Sequence, residues 1–109
     1  MDDSRISSDL IRGHIDTMIL KLLNNGEKYG YEIGKLISVS SSGEYELKEA
    51  SMYSSLKRME QNNLIESYWG DETRGARRKY YRITLKGKTK YNESKKNWES
   101  IKKLLDKLI

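Results

Sequence analysis

LIESYWGDETRGARRKYYRIT, residues 64–84, is the stretch whose reading decides the fold. Leu64-Ile65-Glu66-Ser67-Tyr68-Trp69 is rich in β-branched and aromatic side chains and reads as a strand. Gly70-Asp71-Glu72-Thr73-Arg74-Gly75 is turn chemistry, and Lys79-Tyr80-Tyr81-Arg82-Ile83-Thr84 is a second strand. Two strands joined by a glycine-containing loop make a hairpin, here with a loop longer than the tightest turns. A lone hairpin is marginal in water, so this one must pack against helices. It is also strongly basic: Arg74, Arg77, Arg78, Lys79 and Arg82 fall within nine residues.

Helices are available on both sides. Upstream, Leu10, Ile11, Ile15, Met18, Ile19, Leu22 and Leu23 recur at helical spacing, which predicts one helix over residues 8–24, capped by Ser7 or Ser8 and stopped by Asn24-Asn25-Gly26. A shorter helix fits residues 31–39, with Ile33, Leu36 and Ile37 on one face. A third fits residues 48–61, where Met52, Leu56 and Met59 turn inward and Asn62-Asn63 closes the helix. Downstream of Thr84 a long helix runs on, with Tyr91, Trp98 and Leu105 each seven apart, and Ser94, Ile101 and Leu108 on a second period of seven. That is an a/d seam, which favours a helix–helix contact over a helix folded back on its own core. The expected fold is mainly α with a small β-hairpin. Residues 1–84 form a winged helix-turn-helix domain with its wing at about 70–78, and residues 85–109 form a dimerisation helix packed with helix 10–24.

Composition narrows the function. The chain has 109 residues, room for one domain, and 34% of them are charged. Its formal net charge is +5, which favours polyanionic partners. No apolar run is long enough to cross a bilayer, and Met1-Asp2-Asp3-Ser4-Arg5 does not read as a secretory signal, so the expectation is a cytoplasmic protein without a membrane partner. There is no cysteine, His14 is the single histidine, the serines have no partnered base and no glycine-rich phosphate motif occurs. The expectation is therefore no enzyme, no metal and no cofactor.

The third helix leaves Ser51, Tyr53, Ser54, Ser55, Lys57 and Arg58 off its apolar face. Small hydroxyls and basic groups suit a helix entering the major groove, although the same residues suit any solvated face. The hairpin favours the first reading: Arg74, Arg77, Arg78 and Lys79 beside glycines can approach a phosphate ribbon, against which stands only salt bridging to Asp71 and Glu72. The expected DNA contacts are Ser51, Tyr53, Ser54, Lys57, Arg74, Arg77, Arg78 and Lys79. A winged-helix module used only for protein interaction is the alternative from a different class, and such a module has no need of Arg77, Arg78 and Lys79 together.

Tyr29-Gly30-Tyr31-Glu32-Ile33, Met52-Tyr53, Leu56-Lys57-Arg58-Met59-Glu60, Leu64-Ile65, Tyr68-Trp69 and residues 77–84 followed by Gly87 together resemble the PadR family of transcriptional regulators, over residues 9–109. The short last helix resembles the compact branch that includes multidrug-sensing repressors. Two departures stand out: Ser54 where the family commonly has proline, and Asn63 where it commonly has glycine. The resemblance implies a homodimeric repressor on an inverted-repeat operator of double-stranded DNA, joined mainly by the last helix with help from the first. The expected interface is Ile11, Ile15, Tyr91, Trp98, Ile101, Leu105 and Leu108. It further implies that Trp98 stacks on a planar aromatic small molecule at that interface. Packing alone is the competing reading of Trp98, and a regulator without any small-molecule effector is the corresponding alternative. Ser94, Lys102 and Asp16 are the expected neighbours of the ligand; with so few acids there, the ligand is expected to be planar and neutral or anionic.

Overall fold

Gly13 breaks the first apolar helix. The computed structural model describes residues 8–71 and 77–109, and in it α1 (Ser8–Ile11) gives way to a 3₁₀ turn (Arg12–His14) before α2 (Ile15–Asn24) begins. The single helix expected over residues 8–24 is thus two pieces. Glycine is among the weakest helix formers, and a 3₁₀ turn tolerates it at little cost. The chain continues through β1 (Lys28–Tyr29), α3 (Gly30–Ser40), α4 (Glu49–Gln61), β2 (Ile65–Trp69), β3 (Lys79–Ile83) and α5 (Leu85–Leu108).

The hairpin forms as expected, with Ile65 opposite Ile83 and Trp69 opposite Lys79. It gains a third strand: β1 pairs antiparallel with β3 through Lys28–Tyr81 and Tyr29–Tyr80, giving the order β1-β3-β2. Alternation sorts the faces. Ile65 and Tyr81 turn inward and are buried, whereas Glu66, Tyr68 and Arg82 point out. On the outer face Tyr80 lies between two rings, stacked on Tyr68 and edge-on to Tyr29, each with centroids 5.7 Å away.

One core holds the helices to the sheet. Ile19, Leu20, Ile33, Leu56, Met59 and Ile65 are almost wholly buried, drawn from α2, α3, α4 and β2. Met52, Leu56 and Met59 point inward as their spacing requires, and Ser55 joins them rather than the exposed face, being one turn from Met52. Because Ile33 is fully enclosed, Ile33→Val should cost about 1 kcal/mol, read as a lower denaturant midpoint at unchanged slope.

Corners fix the remaining geometry. Asn63 closes α4 at φ 62°, and Leu64 N–H donates to Met59 O at 2.9 Å, so asparagine takes the left-handed position that glycine usually fills at a helix end. Thr84 caps α5: its hydroxyl oxygen accepts from Gly87 N–H at 3.0 Å, while Thr84 N–H donates to Leu64 O at 3.1 Å. Gly87 is buried in this corner, where a Cβ would meet Leu64 O at 2.0 Å. From there α5 packs on α2 and β3 and then leaves the body. The radius of gyration is 15.5 Å, against about 13 Å for a compact chain of this length.

Candidate nucleic-acid interface

The exposed arc of α4 has two flanks. Tyr53 sits on the flank toward the sheet, Ser51 and Arg58 on the flank toward the N-terminal helices, and Ser54 and Lys57 lie between, all outside the core. Four of the expected contacts therefore do share one face of the helix.

Toward the sheet lies a groove of about 770 Å³ lined by Tyr29, Gly30, Tyr31, Tyr53, Trp69, Arg77, Arg78, Lys79 and Tyr81. It joins the head of α3, the recognition face of α4 and the base of the wing. At Gly30 the ring of Tyr53 packs directly over the backbone, into the space that a Cβ would take. Cations and rings alternate along the groove. Arg78 lies 4.6 Å over Tyr29, Arg77 lies 5.9 Å from the Trp69 centroid, and the Lys79 ammonium lies 6.0 Å from Trp69 and 5.9 Å from Tyr81. Arg77 Nε also donates to Gly70 O at 3.3 Å, and Gly70 N–H donates to Arg78 O at 2.7 Å, closing the end of the hairpin. Burial, and then the nearby Tyr53 and Glu60, push the Tyr81 phenol above its ordinary value, so it stays neutral and adds no negative charge. The described lining holds no carboxylate.

Arg82 belongs elsewhere. It faces the outer side of the sheet, donating to Glu66 at 2.9 Å with Glu27 at 3.8 Å, so it leaves the basic cluster to which its position in sequence assigned it. Arg74 and Glu72 lie outside the described residues.

The other flank of α4 has a different character. A cleft of about 550 Å³ is lined by Ser51, Ser54, Ser55 and Arg58 of α4 with Ile11, Arg12 and Glu46 among the facing residues. Its guanidinium groups are matched by acids: Arg12 with Asp9 at 3.0 Å, and Arg58 with both oxygens of Asp16 at 2.7 Å. Asp16, expected beside the ligand pocket, is thus engaged with the recognition helix.

Along α5, Trp98, Ile101, Leu104, Leu105 and Leu108 stay exposed, a continuous apolar stripe, and Tyr91 near its start is half-buried against the core. Lys102 folds its ammonium over the Trp98 ring at 4.4 Å, and Ser94 is half-buried one turn away. Ile11 is half-buried at the rim of the cleft. Ile15 lines the same cleft but is only 8% exposed, packed in the chain's own core on the face of α2 that it shares with Ile19. Sequence reasoning missed Tyr31 and Trp69 as groove residues. The signal available for Trp69 was its position two residues past Ser67 on the inward face, beyond the end of the core.

Among the described residues no helix is long and apolar enough to cross a membrane, and no cluster of three or more His, Cys, Asp or Glu side chains could hold a metal. Helices α2, α3 and α4 followed by a hairpin, with a basic groove between α4 and the base of the wing, define a winged helix-turn-helix protein. The model of the PadR-like family of transcriptional regulators matches residues 19–93. The chain belongs to that family, and is a transcriptional regulator rather than an enzyme. It is similar to a transcriptional regulator from Clostridium thermocellum, Cth-833, at 47% identity and TM-score 0.88, covering 95% of this chain and 98% of that one. It is similar also to a PadR family transcription regulator from Clostridium difficile R20291, at 44% identity and TM-score 0.76, covering 88% and 98%. Bacillus subtilis PadR in complex with operator DNA shares the fold, at 24% identity and TM-score 0.66, over 72% of this chain and 45% of that one.

Proposed function

We propose that the chain is a homodimeric repressor that binds an inverted-repeat operator, with α4 in the major groove and the basic groove on the adjoining phosphates. One observation carries this reading: the groove continuous with the exposed face of α4 is lined by three cations and, among the described residues, no acid. The major groove admits one helix, and phosphate contacts from a flanking element fix its register. Bacillus subtilis PadR, which shares the fold, is solved in complex with operator DNA, and this supports DNA as the partner. The contact residues are then Ser51, Tyr53, Ser54, Lys57, Arg77, Arg78 and Lys79.

Two copies join through the apolar stripe of α5, whose heptad period suits a helix pairing with its own image. The Trp98 ring near that seam suits a planar aromatic effector that releases the operator. The Lys102 ammonium above the ring favours a neutral or anionic molecule over a cationic one.

Gel retardation with the DNA upstream of the chain's own gene, in excess competitor, tests the reading. Saturable binding with a dimer-sized footprint supports it, and no binding even at low salt overturns it. Arg78→Ala should weaken binding on every sequence and lower the slope of log K against log salt by about 0.9, the amount for one phosphate contact.

A further inference from the structure

Tyr31 and Trp69 are large rings that the fold does not bury. They are 62% and 56% exposed, yet both line the groove that carries Arg77, Arg78 and Lys79. Neither belongs to the core or packs against it. Strand alternation sends Trp69 to the inner face of the sheet, but at a level past Tyr81, the last ring of that face that the core covers. Tyr31 stands at the head of α3, across the groove from it. Cation binding alone does not need two such rings at the mouth of the groove, since hydrated lysine and arginine hold phosphate without them.

We propose that Tyr31 and Trp69 contact the DNA backbone by packing against deoxyribose, so that the groove grips sugar as well as phosphate. The inference rests on the DNA-binding reading above. A duplex hides its bases in the stack; what it offers to a groove running beside the recognition helix is an alternation of phosphate oxygens and apolar sugar faces. The groove offers the matching alternation, cations beside exposed rings. Contact between a ring and a sugar face is dispersion and apolar burial, which displaces no counterion. Its share of the affinity is therefore independent of salt, whereas that of Arg77, Arg78 and Lys79 is not.

The test is a salt series of binding to one duplex by wild type, Trp69→Ala, Trp69→Phe, Tyr31→Ala and Arg78→Ala, with folding checked by circular dichroism. Trp69→Ala and Tyr31→Ala should each weaken binding about fivefold at every salt concentration, leaving the slope parallel to wild type, and Trp69→Phe should recover most of the loss. In a Trp98→Phe background, the emission of Trp69 should change on adding duplex. Unchanged affinity for both ring variants, with the Arg78→Ala slope still reduced, overturns the inference and leaves the DNA reading standing. A reduced slope in Trp69→Ala also overturns it, because the ring would then act only by orienting Arg77 and Lys79. Equal Trp69-dependent affinity for single-stranded DNA overturns it in favour of base stacking. No duplex binding by wild type at any salt removes both readings together.

Discussion

Gly87→Ala is expected to destabilise the fold by about 2 kcal/mol or more, although it replaces a poor helix former with the best one. The methyl group would come within 2.0 Å of Leu64 O and 2.7 Å of Ile83 Cγ1. The first of these is backbone, and it is already committed. Leu64 O accepts from Thr84 N–H at 3.1 Å, and the Thr84 hydroxyl lies 3.0 Å from it while donating at 2.7 Å to Asn63 O, so it cannot retreat without loosening the cap of α5. Overlap of this kind costs about 3 kcal/mol, and the gain in helix propensity offsets about 1 kcal/mol of it. Differential scanning calorimetry should show the midpoint falling by roughly 10 °C. An unchanged midpoint would mean that the corner between β3 and α5 is looser than the contact with Leu64 implies.

Ile101→Asp should abolish dimerisation and with it operator binding, while the isolated chain stays folded. Ile101 is 54% exposed on a single copy, so a carboxylate there costs the monomer little. At a helix–helix seam the same carboxylate would be desolvated and set against its symmetry mate, which is strongly unfavourable. Light scattering should give the mass of one chain, and affinity for a two-half-site operator should fall by more than about a hundredfold as the second contact becomes bimolecular. Retained dimer mass would move the interface away from the α5 stripe.

The hairpin and the inward side of α4 were legible because their residues repeat on a local period, two for Ile65 through Trp69 and near three and a half for Met52, Leu56 and Met59. The features that sequence reasoning missed are set by partners distant in the chain. Lys28 and Tyr29 form a strand only because β3 offers them an edge, and two residues carry no period. Arg82 reads as one more wing cation until pleating turns it toward Glu66 and Glu27. Asp16 and Arg58 are separated by 42 residues, so their pairing has no local signature. The break at Gly13 had a signal, the glycine itself, outweighed by the apolar run around it.

Tyr29 ends β1, receives Arg78 of the wing over its ring, and donates its N–H to Glu32 in the first turn of α3 at 3.4 Å. One residue thus ties the base of the wing to α3, the helix that packs against the recognition helix α4. In a head built this way grip and reading are coupled through that contact. In a pair of such heads the adjustable quantity is the distance and angle between them, and control over the operator becomes a matter of span.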